Sequence, residues 1–150
     1  MIAIACDHTA LDMKRNIEEL LTDMGLEYMD FGTDSTASCD YPVFAVRAAN
    51  AVVSGKCDKG ILICGTGIGM SLAANKVKGI RCAACSEPYS ATMTRAHNDA
   101  NMLAIGARVI GVEIARMIVR AFLETPFEGG RHQRRVDMLT AIENGDFSEA

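Results

Sequence analysis

A cysteine followed by alternating glycines is the feature of this sequence most typical of a functional site. Cys64 ends the apolar run KGILIC, and Gly65, Gly67 and Gly69 follow at alternate positions. A turn without side chains exposes backbone N–H groups at the start of a helix, where they can hold a phosphate or a developing oxyanion. A thiol beside such a turn can lose its proton and act as a base or nucleophile. Alternatively, Cys64 is an apolar strand residue without a chemical role.

The glycine spacing disfavours a dinucleotide site. That fingerprint is G-x-G-x-x-G after the first strand of its unit, with an acidic residue at the end of the next strand. Here the spacing is G-x-G-x-G after the third apolar run, and the next predicted strand ends in Cys85 and Ser86. The turn therefore indicates a phosphate or a reacting oxyanion as its ligand.

Other residues that could do chemistry follow a predicted strand or end a predicted helix. Asp7 and His8 come directly after the first apolar run, and the segment RAHND places His97 beside Asn98. A histidine in such a position can transfer a proton, and an amide can bind a charged intermediate. The alternatives are helix capping by Asp7 and by the RAHND residues, with solvated imidazoles.

Two arginines near the C-terminus form a candidate phosphate site. Arg131 and Arg135 are four residues apart on one face of a predicted helix, whereas Arg134 points elsewhere. Each guanidinium offers forked donors and keeps its charge, which suits a phosphate dianion. Two glycines directly before the helix favour a closely approached site. The alternative is a solvated helix face.

The six cysteines do not indicate a metal site or a disulfide framework. Cys82 and Cys85 form a C-x-x-C, but they lie within a predicted strand, where such positions face opposite sides. The remaining cysteines show no metal-ligand spacing. We expect reduced thiols and no metal.

Composition and charge predict one globular domain over residues 1–150. The chain is 49% hydrophobic and 23% charged, with a net charge of −4 that disfavours nucleic acid as a partner. No apolar run approaches the roughly 18 residues that cross a bilayer. The start MIAIACDHT lacks the features of a secretory signal, so we expect a cytoplasmic protein without membrane contact.

Apolar runs of strand length alternate with helical patterns along the chain. Strands are predicted at IAIAC, LEYMDFG, KGILIC, GIRCAAC and NMLAIG, and helices include about 10–24, about 42–53, VIGVEIARMIVRAFLE and about 131–144. This order predicts an α/β chain, with a three-layer αβα Rossmann-like fold and a five-stranded parallel sheet. Ligands bind beyond the carboxyl ends of such strands. We therefore expect Cys64, His97 and the arginine pair at one edge of the sheet.

The polar segment TDSTASCDYP, residues 33–42, is long for a connection in a compact α/β unit. Long connections of this kind often carry binding or catalytic residues. The segment is therefore a candidate functional loop.

Several motifs together resemble one known family. They are ACDH, DYP, ILICGTGIGMSLAANK, CSEPYSA, RAHNDANMLAIGARVIG and FEGGRHQRRV, in order over essentially the whole chain. The combination is similar to the ribose-5-phosphate isomerase B family, which includes the galactose-6-phosphate isomerase subunits. The resemblance implies isomerisation of a phosphorylated sugar between aldose and ketose, usually ribose 5-phosphate and ribulose 5-phosphate, through a cis-enediolate. It also implies that neither a metal nor an organic cofactor is used.

The resemblance further implies roles for individual residues. Cys64 is the base that moves a proton between C2 and C1, His97 assists ring opening, and Thr66 orients the substrate. The Asn98 amide and the backbone of the glycine turn stabilise the enediolate oxygens; the turn comprises Gly65, Thr66, Gly67, Ile68 and Gly69. Sugar and phosphate are bound by Asp7, His8, Arg108, Arg131 and Arg135, with Tyr41 as a further neighbour.

An assembly and a subgroup are implied as well. Sites of this family lie at a dimer interface, with His97 and Asn98 reaching the pocket of the other subunit, so the resemblance implies a homodimer that can pair into a tetramer. One subgroup uses a cysteine base, and the other uses a glutamate shortly after the glycine turn, where this chain has Met70. The sequence therefore fits the cysteine subgroup.

Three alternatives stay open at the level of the sequence. The substrate can be a six-carbon sugar phosphate, such as allose 6-phosphate or galactose 6-phosphate. The chain can be a non-catalytic regulator that binds a sugar phosphate or nucleotide. The cysteine content also allows a thiol redox protein.

Overall fold

In the computed structural model, which describes residues 1–149, five strands alternate with six helices. The strands are β1 (Ile2–Cys6), β2 (Tyr28–Asp30), β3 (Lys59–Cys64), β4 (Cys82–Ala84) and β5 (Met102–Gly106). The helices are α1 (Leu11–Asp23), α2 (Tyr41–Val53), α3 (Ile68–Ala74), α4 (Pro88–Asn98), α5 (Val112–Glu124) and α6 (Arg131–Asn144).

All strand pairs are parallel, and the strand order is β2-β1-β3-β5-β4. The predicted α/β class and five-stranded parallel sheet are confirmed. The chain runs outward from β1 to β2 and then crosses back to β3, so the order reverses between β1 and β3. That is where a ligand site is expected. Because β1 and β3 are neighbours, the segments that follow them lie at the same edge.

Two apolar clusters hold the helices to the sheet. Side chains of α1, α4 and α5 pack on one face, and side chains of α2 and α3 pack on the other, which gives three layers. The contact between β1 and α2 is made of small residues: Ala3 and Ala5 on the strand, and Ala45, Ala48 and Ala49 on the helix. Small side chains let a helix approach a strand closely while burying apolar surface.

The two edge strands are shorter than predicted. LEYMDFG forms a strand only at Tyr28–Asp30, and GIRCAAC only at Cys82–Ala84. Each has a single strand neighbour, and both keep exposed positions. Helix α5 starts at Val112 instead of Val109, because the Val109 and Ile110 N–H groups donate to the Gly106 carbonyl in a turn. None of the helices within residues 1–149 is both long and apolar enough to cross a membrane.

Candidate active site

The glycine turn places a backbone donor on the cysteine sulfur. Cys64 is 5% exposed at the end of β3, and the Gly67 N–H donates to its Sγ at 3.1 Å. Gly67 has a φ of +79°, and a Cβ at this position would lie 2.9 Å from the backbone carbon of Ile105. Glycine is therefore required, both for the left-handed backbone and for the close approach of β5.

The remaining positions of the turn face outward. Thr66 and Ile68 are exposed, and the Ile68 N–H donates to the Thr66 Oγ1 at 3.3 Å. A Cβ on Gly69 would lie 2.8 Å from the ring of Tyr41, so this ring covers the turn. The loop that leads to Tyr41, the first residue of α2, thus reaches the edge of the sheet where Cys64 lies (the cysteine edge). Its functional role stays a prediction.

The segments after β1 and β5 meet at the same edge. Asp7 is 6% exposed, and its Oδ1 accepts from the Thr9 N–H at 2.9 Å and from the Thr9 hydroxyl at 2.6 Å. The Arg108 N–H donates to the Gly65 carbonyl at 3.0 Å, and its side chain extends past that glycine. Asp7 and the glycine turn follow neighbouring strands, since Cys6 pairs with Ile63, and so lie at the same edge of the sheet.

His8 is oriented by the long loop. Its Nδ1 accepts from the Cys39 N–H at 3.3 Å. A neutral imidazole that accepts at Nδ1 carries its proton on Nε2. His8 thus keeps an Nε2–H donor that can face a ligand at the cysteine edge.

A buried lysine, Lys14, fixes the start of this loop. Its Nζ contacts Asp30 at 2.5 Å, the Thr33 carbonyl at 3.1 Å and Asp34 at 3.3 Å. Burial disfavours the charge, but the hydrogen bond and charge of Asp30 outweigh it and raise the pKa of Lys14 above 10.5. Sequence reasoning missed Lys14. The available signal was its position three residues after Leu11, which places Lys14 on the apolar face of α1.

The second group of predicted residues lies at the opposite edge of the sheet. Helix α4 runs back across the sheet and ends at Asn98, shortly before β5 begins at Met102. Cys64 pairs instead with Gly106, at the other end of β5. The expectation that Cys64, His97 and the arginine pair share one edge is wrong within one chain. A helix that follows a parallel strand returns antiparallel to it. Its C-terminus therefore lies at the edge of the sheet formed by the amino ends of the strands, the amino edge.

At this amino edge, two histidine rings are stacked. His97 and His132 have ring centroids 4.1 Å apart and planes 8° from parallel. The Oε2 of Glu128 lies 3.8 Å from the His97 Nε2 and 3.5 Å from the His132 Nε2. Burial, His97 and Arg131 together lower the pKa of His132 below 6.5. His132 and Glu128 were missed by sequence reasoning, which used only the arginines of RHQRR.

Asn98 and the two arginines are exposed near this stack. The Asn98 backbone carbonyl accepts from the Arg81 Nε at 3.0 Å, and the residue itself is exposed. Arg131 and Arg135 form no ion pair with any of residues 1–149. Gly129 and Gly130 precede them with positive φ angles of 64° and 55°. These cations are thus available to an external anion.

The histidine cluster is a poor metal site despite its composition. His97, Glu128 and His132 place three ligand atoms within 4.8 Å of one another. An imidazole lone pair lies in the plane of its ring, so an ion in the plane of one stacked ring lies outside the plane of the other. The nearby arginine charges also oppose a cation. The arrangement suits proton transfer better than metal binding.

The two cysteines of the C-x-x-C lie on opposite faces of the sheet. Cys85 is buried in the cluster below α4, whereas Cys82 packs against the cluster on the opposite face, as the strand pattern predicts. Burial raises the pKa of Cys82 to about 12 and that of Cys85 to about 11. Thiols with such pKa values react slowly near neutral pH.

Two cavities adjoin predicted site residues, and each holds only part of the predicted set. A cavity of about 320 Å³ lies between α4, β4 and α6, with Arg81, Asn98 and Glu143 in its wall. A cleft of about 260 Å³ lies beside Thr66, Ser86 and Gly106. The first adjoins the amino edge and the second adjoins the glycine turn, so each contains only part of the predicted site.

Comparisons of the sequence and of the structure with known proteins point to the same family. The sequence profile of a family described as Ribose/Galactose Isomerase matches residues 2–139. Ribose-5-phosphate isomerase B of Escherichia coli is 54% identical over 142 residues, which cover 95% of each chain. D-erythrulose-4-phosphate isomerase of Pectobacterium atrosepticum is 44% identical over 144 residues, again 95% of each chain. The structure of Clostridium thermocellum ribose-5-phosphate isomerase B superposes with a TM-score of 0.94 at 51% identity, covering 96% of this chain and 97% of that one.

Proposed function

Since this chain belongs to the ribose/galactose isomerase family, we propose that it interconverts ribose 5-phosphate and ribulose 5-phosphate. The observation that carries the proposal is the buried Cys64 thiol, with the Gly67 N–H at 3.1 Å from its sulfur. A base at this position is shielded from water and lies beside a turn that exposes backbone donors. In this proposal residues 1–150 act as one sugar-phosphate isomerase domain.

The central step is a proton transfer between neighbouring carbons. The Cys64 thiolate takes the proton from C2 of the open aldose, and the electron pair forms the cis-enediolate. The same thiol returns the proton to C1, while a proton moves from O2 to O1 to leave the C2 ketone. Backbone N–H groups from Gly65 to Gly69 and the Asn98 amide stabilise the negative oxygens, and Thr66 orients the sugar. No cofactor is needed, because atoms and electrons balance within the substrate.

Ring opening requires a second proton carrier, which we assign to His97. The imidazole takes the proton of the O1 hydroxyl, the bond between C1 and O4 breaks, and O4 receives a proton from the imidazolium. The products are the C1 aldehyde and the O4 hydroxyl. His97 ends in its starting state.

A second copy of the chain completes the site in this proposal. Cys64 and His97 lie at opposite edges of one sheet, and proton transfer needs contact distance. In a two-fold dimer, His97 and Asn98 of one subunit can meet the glycine turn of the other, and each pair of chains forms two equal sites. The homodimer can pair further into a tetramer.

The substrate phosphate binds between cationic groups from both edges. His8 and Arg108 come from the edge of Cys64, and Arg131 and Arg135 from the edge of His97. Asp7 accepts hydrogen bonds from sugar hydroxyls, because its Oδ2 has no donor among residues 1–149. We place the reaction in the cytoplasm, where phosphorylated sugars are metabolised.

A four-carbon sugar phosphate is the second candidate substrate. The relative from Pectobacterium atrosepticum, 44% identical, is named for D-erythrulose 4-phosphate. A substrate panel of ribose 5-phosphate, D-erythrose 4-phosphate, allose 6-phosphate and galactose 6-phosphate separates these candidates by kcat/KM. We expect the highest value for ribose 5-phosphate.

The same assay on variants tests the base. We expect Cys64→Ala to lower kcat by at least about 100-fold, the lower range for general base catalysis. Cys57→Ala is the matched control, because Cys57 is a buried cysteine in the same α2-side cluster without a contact to the glycine turn. Near wild-type turnover by Cys64→Ala would exclude Cys64 as the base. Thermal stabilisation by sugar phosphates without any turnover would instead identify a regulator.

A further inference from the structure

We propose that His132 and Glu128 are positioning residues for His97, which hold its imidazole in the orientation and electrostatic setting that ring opening requires. This inference rests on the proposed function, in which His97 opens the furanose ring. It concerns two side chains that neither touch Cys64 nor belong to the phosphate site.

The stack fixes the plane of the His97 ring. His132 is 5% exposed, and its position in the first turn of α6 is set by its own N–H, which donates to the Gly129 carbonyl at 3.0 Å. The His97 side chain is 38% exposed and lies against this ring at 4.1 Å between centroids. One face of His97 is therefore covered, while its edge stays open to a substrate. A ring held in this way loses less rotational freedom when the substrate binds.

Glu128 supplies the negative charge beside the stack. Its backbone N–H donates to the Ala96 carbonyl at 3.0 Å, which ties it to the residue before His97. Its carboxylate oxygen lies 3.8 Å from the His97 Nε2, too far for a hydrogen bond but close enough for a charge interaction. The other charged groups facing the stack are Arg131 and Arg135, both positive. Glu128 thus offsets the arginines when His97 becomes an imidazolium during ring opening.

His132 is suited to carry no charge in this step. Its Nε2 is buried without a hydrogen-bond partner among residues 1–149. Burial, His97 and the nearby arginines lower the pKa of the ring and outweigh the opposite effect of Glu128. A second imidazolium at 4.1 Å from the first would be strongly repelled. His132 therefore serves as a neutral aromatic surface, and His97 alone carries the proton.

The test compares substrates that do and do not need ring opening. Ribose 5-phosphate closes a furanose through O4, whereas D-erythrose 4-phosphate cannot, because its O4 carries the phosphate. We expect His132→Ala and Glu128→Gln to lower kcat for ribose 5-phosphate about tenfold and to leave turnover of D-erythrose 4-phosphate within about twofold. His132→Phe, which keeps a neutral ring for stacking, should stay within about threefold of wild type on both substrates. Glu124→Gln is the control for a charge change at an exposed acid.

Each outcome supports or overturns the inference. An equal loss on both substrates, or equal losses in His132→Phe and His132→Ala on ribose 5-phosphate, would reduce the two residues to a structural role. Wild-type kcat in Glu128→Gln and His132→Ala on ribose 5-phosphate would overturn the inference and leave the proposed function intact. Absence of ribose 5-phosphate turnover in the wild-type protein would refute the proposed function itself. If His132→Ala does not fold, the exposed Glu128→Gln variant still decides the electrostatic part.

Discussion

The backbone N–H of Gly67 lies 3.1 Å from the sulfur of Cys64, and only a glycine can present it there. The φ of Gly67 is +79°, and the backbone of Ile105 leaves no room for a side chain. The Cys64 thiol, the left-handed turn and the packing of β5 are thus one structural unit. Changing the glycine should affect both stability and catalysis.

We predict that Gly67→Ala destabilises the protein by about 2–4 kcal/mol, because the strain of the left-handed backbone and the clash with Ile105 add up. We also expect kcat to fall at least about tenfold, because the N–H donor moves away from the Cys64 sulfur. The matched control is Gly55→Ala, because Gly55 has a similar φ of +75° but no neighbouring atom within 4 Å of where a Cβ would lie. It should lose only about 1–2 kcal/mol and keep its kcat. Denaturant unfolding and steady-state kinetics provide the measurements. Equal effects of both substitutions would contradict the role of the close contact.

Complementation tests the shared site. We predict that Cys64→Ala and His97→Ala are each inactive on ribose 5-phosphate, and that mixing them after dissociation and reassembly restores activity. After random mixing, half of the dimers contain one Cys64→Ala chain and one His97→Ala chain. One of the two sites in such a dimer has both groups intact, so the activity should return to about a quarter of the wild-type value. A mixture that stays inactive despite subunit exchange, followed by mass spectrometry, would argue against a site built from two chains.

The buried lysine should contribute to stability and to the placement of the long loop. We predict that Lys14→Met lowers the free energy of unfolding by about 1–3 kcal/mol, because Asp30 loses its buried partner. Arg15→Met is the control, since the pair of Arg15 with Asp12 is exposed and should contribute under about 0.5 kcal/mol. Urea unfolding measures both. Identical midpoints for the two variants would refute the prediction.

The same lysine predicts a dependence on alkaline pH. The pKa of Lys14 is raised in the folded state, so its contribution is fully present below about pH 10.5 and is lost as the pH rises through the folded value. Above pH 10.5, the difference in the free energy of unfolding between the wild type and Lys14→Met should therefore become smaller. A constant difference in stability between pH 8 and pH 12 would contradict this assignment.

Thiol reactivity should follow burial. Burial raises the pKa of Cys6 to about 12 and that of Cys85 to about 11, so both stay protonated well above neutral pH. We predict that iodoacetamide at pH 8 leaves these two unmodified in the folded protein and alkylates them in urea. Peptide mass spectrometry provides the measurement. Rapid modification of Cys85 in the native state would reopen a role for the C-x-x-C in redox chemistry.

The sequence by itself determined the fold class and the residue types of the proposed site. Buried runs such as KGILIC and the helical patterns between them predicted the parallel sheet, because hydrophobic periodicity reflects which face is buried. Cys64, the glycine turn and Asp7 were placed at one edge correctly, since they follow strands directly. The predicted ends of the two edge strands were less accurate. Each of these strands pairs with one neighbour only, and the extent of that pairing decides where the strand ends.

Only the tertiary structure decided that the residues of the proposed site lie at two edges of the sheet. His97 ends a helix, and the return direction of that helix carries it to the amino edge, a full strand length away from Cys64. The stack with His132, the carboxylate of Glu128 and the lysine that fixes the loop depend on contacts between segments distant in sequence. Local patterns carry no information on such contacts, because they arise from packing after the elements have formed.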